Sequence, residues 1–405
     1  MAGDLPLSGI KVLDFTWAMA GPAATRVLAD YGATVVRIES ANRVDAVRTV
    51  QPFHGGAPGA ERSAVFQNLN AGKLMLTLDL ETEAGRGVAI DLARWADVVI
   101  ESFTVGTMRR WGLDYDRLRE VKPDLIVLST CLMGQTGPVA GLAGFGNLAA
   151  AISGFYNLTG WPDRPPAGPF GAYTDYVSPR FTVAVLLAAL DHRRRTGEGS
   201  YFDQSQAEAS LHFLAPAFLD YTVNGRVVER AGNRDLEMAP HAVYPAHGED
   251  RWVAITVSTD EQWELLCEAM ERPELVSDDR FRTAAARLGN QDELDEIVGG
   301  WTKHRNVDTI ERLLQSRGVP ASAVQNSTEL IRDPQLLHRR HFVELEDTPV
   351  GKTVVEASRV RMSRTPAAIR GATPTLGRDN QYVLEKILGY DEERITELVV
   401  AGALT

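Results

Sequence analysis

The most restrictive feature of this sequence is the alternation of short apolar segments with helix-compatible ones through its first half. "IKVLDF" is an apolar strand ending at Phe15, and "GPAATRVLADYG" after it has helical spacing, with Gly32 as a stop. "ATVVRIE" supplies the next strand. "EAGRGVAIDLARWA" is helical and runs into the strand "DVVIESF", and "DLIVLST" adds another. Apolar strands separated by helices predict an α/β fold whose mostly parallel sheet is covered on both faces. Ligands of such sheets bind beyond the carboxyl ends of the strands. Three loops fall there: "TWAMAGP" after the first strand, "ESFTVG" after the fourth and "STCLMGQTGP" after the fifth. The first loop has no GxGxxG and the chain has no GxxxxGK[ST], which lowers the dinucleotide and nucleoside triphosphate readings.

The pattern changes near residue 226. "AVYPAHGEDRWVAITV" reads as a hairpin, and "DEQWELLCEAM" and "NVDTIERLLQSRG" read as amphipathic helices. The expected organisation is a large domain over 1–225, a smaller α/β domain over 226–330, and a segment over 331–405 that links back to the large domain. A length of 405 residues accommodates this division.

The net charge of −12 opposes binding to nucleic acid or to an anionic membrane surface, so neither is expected as a partner. The amino terminus, "MAGDLPLSGIKVLDF", lacks a basic segment followed by a secretory apolar core, and "FTVAVLLAAL" is too short to span a bilayer. Cys131 and Cys267 form neither a metal-spacing motif nor a disulfide framework, and a reducing cytoplasm is the expected setting. His338 and His341 lie in a basic stretch, "LLHRRHF", that reads as surface; no metal is implied.

Among the residues able to carry chemistry, Asp175 in "GPFGAYTDYVSPRF" stands out. Ser178 reads as a helix N-cap and Pro179 as a first-turn residue. Asp175 then lies near the positive end of a helix, which favours its carboxylate form. That suits a nucleophile or charge stabiliser; a turn-forming aspartate bonded to local backbone is the structural alternative. Arg180, Arg193, Arg194 and Arg195 invite a phosphate reading, but "DHRRRTGEG" also suits the solvated carboxyl end of a helix. Lys73 reads either as a surface lysine entering a strand or as a phosphate contact. Cys131, at a strand end with no histidine near in sequence, reads as a small buried hydrophobe.

Taken together, these segments resemble the class III CoA-transferases of the formyl-CoA/oxalate and carnitine type. The resemblance runs through "LSGIKVLDFTWAMAGPAATRVLADYGATVVRIE", "NLNAGKLMLTLDLETEAGR", "WADVVIESFTVGTMRRWGLDYDRL" and "KPDLIVLSTCLMGQTGP". It continues through "GAYTDYVSPRFTVAVLLAALDHRRRTGEGSYFDQSQAEA", "GNRDLEMAPHAVYPAHGEDRWVAITVSTDEQW" and "PTLGRDNQYVLEKILG", in family order over nearly the whole chain. It implies a Rossmann-like large, CoA-binding domain built from both chain ends, a smaller central domain, and an interlocked homodimer. It places the catalytic aspartate on Asp175. For the CoA thioester it implies Trp17, Ala18 and Met19 on the loop after the first strand, Asn70 and Lys73 near the nucleotide, Phe103, and Arg110 at the phosphates. Met19 stands where many relatives have glutamine, and Ser102 where the family pairs asparagine with Phe103.

The implied reaction moves CoA from an acyl-CoA donor to a free carboxylic acid through an aspartyl–acyl anhydride and an aspartyl-CoA thioester. CoA enters as a substrate thioester, and no tightly bound cofactor is expected. α-Methylacyl-CoA racemase shares the fold, but "AGFGN" puts Phe145 where its histidine stands and Gly146 where its aspartate stands; phenylalanine exchanges no proton. Racemisation and non-catalytic acyl-CoA binding remain the alternatives. The family's mobile glycine loop corresponds to "RVVERAGNRDLEMAPH", which has only Gly232. Tyr173, Tyr176 and Phe145 suggest an acyl pocket suited to a larger acid.

Overall fold

A computed structural model describes residues 5–405. Its centre is a six-stranded sheet of β1 (Lys11–Phe15), β2 (Thr34–Glu39), β3 (Leu74–Thr77), β4 (Val98–Glu101), β5 (Ile126–Cys131) and β6 (Ser200–Ser205). The spatial order is β3-β2-β1-β4-β5-β6 and every pairing is parallel. Strand order reverses between β1 and β4, so a crevice opens beyond their carboxyl ends. Both sheet faces are apolar because both are covered. Leu13, Val36, Val99 and Val127 pack in one cluster, and Val12, Val35, Val98 and Leu128 in the other.

The helices follow from local signals. In α1 (Ala20–Asp30), Pro22 occupies the first turn, where its missing N–H costs nothing. After α2 (Ala64–Asn70), α3 (Glu83–Trp95) starts at Thr82, whose hydroxyl accepts from the Gly85 N–H at 3.0 Å. Two short helices, α4 (Thr107–Trp111) and α5 (Tyr115–Val121), separate β4 from β5. Beyond β5 come α6 (Gly146–Ile152) and α7 (Phe155–Leu158). The long helix α8 (Tyr173–Thr196) corrects one expectation: it starts before Ser178 and Pro179, so Ser178 is not its N-cap and Pro179 lies inside it. Ala172 holds the N-cap position without a side-chain bond. The buried Ser178 hydroxyl instead accepts from Gln204 at 2.8 Å. The closing glycine, Gly197, has φ +77°. Two further helices, α9 (Gln206–Leu211) and α10 (Ala215–Asn224), follow β6.

The chain divides into two compact units. One comprises residues 1–156, 168–227 and 335–405; the other comprises 157–167 and 228–334. The second unit holds an antiparallel sheet of β7 (His241–Pro245), β8 (Trp252–Thr256) and β9 (Ala321–Ala323). The hairpin read from "AVYPAHGEDRWVAITV" forms here, with Pro245 opposite Trp252. Its core gathers Val253, Ile255, Trp263, Leu266, Phe281 and Ile310.

In the first unit, the returning carboxyl-terminal segment protects the free edge of β3. Asp379 accepts the Met75 N–H at 2.8 Å and Asn380 accepts the Thr77 N–H at 2.9 Å. These two side chains satisfy ladder donors that would otherwise template strand addition. Replacing Asp379 or Asn380 with alanine should destabilise this unit by about 1–2 kcal/mol each. Urea titration followed by circular dichroism checks this, and an unmoved midpoint in both variants would show that the edge needs no cover.

Candidate active site

The loops at the carboxyl ends of β1, β2, β4 and β5 surround a cavity of about 750 Å³ in the first unit. They are held from below by buried charges. Asp14 on β1 accepts from the Thr16 hydroxyl at 2.5 Å, the Thr25 hydroxyl at 2.6 Å and the Lys73 ammonium at 3.3 Å. Arg37 on β2 donates to the Thr16 carbonyl at 2.8 Å and pairs with Asp45. Asp45 also accepts the Ala18 N–H at 3.0 Å, fixing that residue at φ +61°. Glu39 accepts from the Asp45 N–H at 2.8 Å and from Arg48 at 2.7 Å. Such buried ions carry desolvation costs of several kcal/mol each, so their value here is geometric: they orient two loops.

Above this network the first wall of the cavity is aromatic. Trp17 meets Phe103 edge-on at 5.8 Å, and Phe103 meets Trp111 edge-on at 5.2 Å. Ser102 accepts the Trp17 backbone N–H at 2.9 Å and so anchors the backbone that carries the indole. Arg110, at the last turn of α4, faces the cavity and touches only the Thr107 hydroxyl, at 3.4 Å. Arg43 also faces the cavity, with its guanidinium 5.6 Å from the Trp17 ring centre. Neither arginine forms an ion pair with a carboxylate among the described residues. Free guanidinium groups beside an aromatic wall suit the phosphates of a nucleotide.

Asp175 lies in the first turn of α8 and faces the same cavity, although it is only 5% exposed. Gln206, at the start of α9, donates its amide to one Asp175 oxygen at 2.5 Å and to the Thr174 hydroxyl at 2.9 Å. The Gly146 N–H reaches the other oxygen at 3.3 Å. A Cβ at Gly146 would stand 2.7 Å from that oxygen, so the absence of a side chain is what lets the carboxylate approach the amide. Burial raises the Asp175 pKa to about 6, while the Gln206 and Gly146 donors oppose the shift. The expectation that its setting simply favours ionisation is therefore corrected: desolvation outweighs the N–H groups. The carboxylate still predominates at neutral pH.

The structure brings Asp175, Trp17, Ala18, Phe103 and Arg110 around one cavity. Met19 turns away, packing with Val47, Phe66 and Met75. Asn70 and Lys73 are fully buried beneath the cavity loops and do not line it: Lys73 donates to the Asn70 side chain at 2.9 Å and the Pro22 carbonyl at 3.0 Å. Burial and the nearby Arg37 lower the Lys73 pKa to about 7, with Asp14 opposing. Cys131 lines the cavity, but burial and neighbouring carboxylates raise its thiol to about 11, leaving no thiolate for nucleophilic work. Phe145 lines the cavity, whereas Tyr173 packs edge-on against Phe155 at 5.3 Å.

Arg193 pairs with Asp97 at 2.8 Å, and Arg194 and Arg195 both pair with Asp191 at 2.9 Å, so this basic stretch is an ordinary helix end. Gly232 has a local reason in the second unit: a Cβ there would fall 1.8 Å from the Trp161 ring. Sequence reasoning missed Gln206, Gly146 as a donor, and Arg43. Arg43 carried a usable signal, being a basic residue in the polar loop after β2, at the carboxyl edge of the sheet.

With this geometry in place, comparison with known proteins is decisive. The sequence profile described as CoA-transferase family III matches residues 7–380. The chain belongs to that family. It is 31% identical over 393 residues to a succinyl-CoA–D-citramalate CoA-transferase of Chloroflexus aurantiacus, covering 97% of this chain and 96% of that one. It is 33% identical over 386 residues to a succinate–glutarate CoA-transferase of Agrobacterium fabrum, covering 94% and 96%. A solved CAIB/BAIF family protein from Brucella suis superposes with a TM-score of 0.87 at 30% identity, covering 95% of this chain and 100% of that one. The protein is thus a class III CoA-transferase.

The burial of Lys73 against Asp14 yields a direct expectation. Lys73→Met should cost about 3–5 kcal/mol, because Asp14 is left buried without its cation. Thermal or urea unfolding measures this. A variant of unchanged stability that had lost only affinity for CoA would place Lys73 at the ligand instead.

Proposed function

We propose that the protein transfers CoA between two carboxylic acids with Asp175 as the nucleophile. The observation that carries this reading is a buried carboxylate facing the cavity, held by Gln206 and Gly146 and paired with no cation among the described residues. A partner cation would tie up the oxygen pair that must attack.

In the first step an Asp175 oxygen attacks the donor thioester carbonyl. The C–S bond breaks, and CoA leaves as a thiolate with the bonding pair. The products are the thiolate and a mixed aspartyl–acyl anhydride. The thiolate then attacks the aspartyl carbonyl, releasing the donor acid as a carboxylate and leaving an aspartyl-CoA thioester. The acceptor carboxylate attacks that thioester, forming a second anhydride and freeing the thiolate again. Attack of the thiolate on the acceptor acyl carbon yields the new acyl-CoA and restores the Asp175 carboxylate. No net proton is gained or lost. Burial of Asp175 keeps water from the anhydrides. The Gly146 N–H, 3.3 Å from the carboxylate, is placed to stabilise the oxyanion as charge moves onto the aspartyl carbonyl.

CoA is held as a substrate thioester, with Arg43 and Arg110 at its phosphates and the Trp17–Phe103–Trp111 wall along its length. Several relatives are named for succinyl-CoA, which makes it the first donor to try; the acceptor is to be found from a panel of dicarboxylates and larger acids. The alternative of racemisation is disfavoured because Phe145, which lines the cavity, and Gly146, which contacts Asp175, have no side chain able to take up or release a proton. The working form is a homodimer in this reading. None of the residues of α10 is buried, and Phe218, Leu219, Tyr221 and Val223 are apolar surface suited to a second copy.

Asp175→Ala should lower CoA transfer by roughly 10^4-fold or more, with CoA binding retained. Hydroxylamine added during turnover should leave a hydroxamate on Asp175, seen by mass spectrometry. Near-normal transfer by the variant would remove Asp175 from the nucleophile's role. The pH profile gives a separate check. The nucleophile is the deprotonated form of a group titrating at about 6, so kcat should fall tenfold per pH unit below that value and level off above it.

A further inference from the structure

One cross-strand row at the carboxyl edge of the sheet is polar and is not used by the transfer chemistry. Glu101 on β4 is in register with Phe15 on β1 and Ser129 on β5, and Ser129 is in register with Asp203 on β6. Parallel strands stand about 4.8 Å apart, so this places two carboxylates on either side of one hydroxyl. Glu101 is 3% exposed and forms no ion pair among the described residues. A buried carboxyl without a cation is costly, and its hydrogen bonds indicate what it does there.

One Glu101 oxygen accepts the Phe103 N–H at 2.7 Å, in the loop after β4. The other accepts the Gln135 side-chain amide at 3.4 Å, in the loop after β5. Gln135 is anchored a second time, through its backbone N–H to Asp203 at 2.8 Å. The first loop carries Phe103, which packs on Trp17 and Trp111. The second runs on through Leu142 and Phe145, both cavity-lining, to the Gly146 N–H that meets Asp175. One buried side chain therefore bridges the two walls of the cavity.

We propose that Glu101 is a positioning residue of the transfer reaction, setting the spacing between the aromatic wall that takes the CoA thioester and the wall that presents Gly146 to Asp175. The part concerning Asp175 rests on the proposed function; the part concerning CoA binding stands on the two loop contacts alone. Ionised Glu101 accepts both N–H groups at once. Protonation removes the charge that strengthens both bonds and turns one oxygen into a donor, so the two loops are held less firmly.

That change is centred near neutrality. Burial raises the Glu101 pKa to about 7, the Asp203 charge pushes the same way, and the Ser129 hydroxyl and Phe103 N–H oppose. The other titratable groups packed against it are the Cys131 thiol on β5 and the Tyr201 phenol on β6, both raised and neutral at pH 7. With a raised folded-state value, the ionised, doubly anchored form is lost as pH falls through about 7.

The test is CoA binding by titration calorimetry from pH 5.5 to 8.5, together with steady-state kinetics from succinyl-CoA. Wild-type Kd for CoA should rise several-fold as pH falls through 7. Glu101→Gln should raise Kd and KM about tenfold at pH 8, leave kcat within about threefold, and abolish the limb near pH 7. The lower limb in kcat, assigned to Asp175, should persist. Gln135→Leu, which removes only the side-chain anchor, should raise Kd two- to threefold, and it serves if Glu101→Gln does not fold. Either variant with wild-type Kd and an unchanged limb near pH 7 overturns the proposal. So does a Glu101→Gln enzyme that loses kcat while its Kd for CoA stays at the wild-type value. Asp175→Ala should keep the pH response of CoA binding. The two readings are therefore separable: failure of Asp175 as nucleophile leaves the binding arm intact.

Discussion

Everything at this site depends on charged side chains buried beneath it. Asp14, Lys73, Arg37, Asp45, Glu39 and Arg48 form a buried set under the loops that follow β1 and β2. Replacing such groups with packed apolar residues is often neutral or stabilising in other proteins, so net stability does not explain them. Direction does. Arg37 fixes the Thr16 carbonyl, and Asp45 fixes the Ala18 N–H in a left-handed conformation that a non-glycine residue seldom adopts. Between those two anchors the chain has little choice but to present Trp17 to the cavity.

From that fixed point the site is assembled by packing and by single hydrogen bonds. Ser102 orients the Trp17 backbone, Phe103 packs on the indole, and Glu101 ties the same loop to the one after β5. The second loop ends at Gly146, whose lack of a side chain admits the Asp175 carboxylate. Asp175, the proposed nucleophile, is consequently a nearly buried group at the end of a chain of contacts that begins at buried ions. Its raised pKa and the attack proposed for it share one cause: a carboxylate stripped of water is less stable and more nucleophilic.

Much of this was legible in the sequence, and the failures are specific. Alternating apolar segments led directly to β1, β2, β4 and β5, because strands buried on both faces must be apolar throughout. The start of α8 was misread because Ser178–Pro179 is a strong local start signal, yet the helix begins at Tyr173. A proline in the interior costs one backbone bond, which tertiary contacts from α1 and α6 outweigh. The family resemblance put Asn70 and Lys73 near the nucleotide, but a resemblance in sequence records identity and not orientation. Here both side chains point into the buried network. Arg43 and Gln206 escaped notice because each is an ordinary polar residue until the fold brings it to the cavity.

The sequence by itself determined the sheet, its crossover helices and the family, and it singled out Asp175 as the candidate nucleophile. Periodicity and colinear motifs are local or one-dimensional properties, and they survive without coordinates. Only the tertiary structure decided which groups meet: that Gly146 and Gln206 hold Asp175, that Lys73 is an internal counter-ion, and that Arg43 joins Arg110 at the cavity. It also decided that burial, and not the helix terminus, governs the Asp175 charge. Desolvation and contact are set by every chain segment that surrounds a group, and most of those segments are distant in sequence.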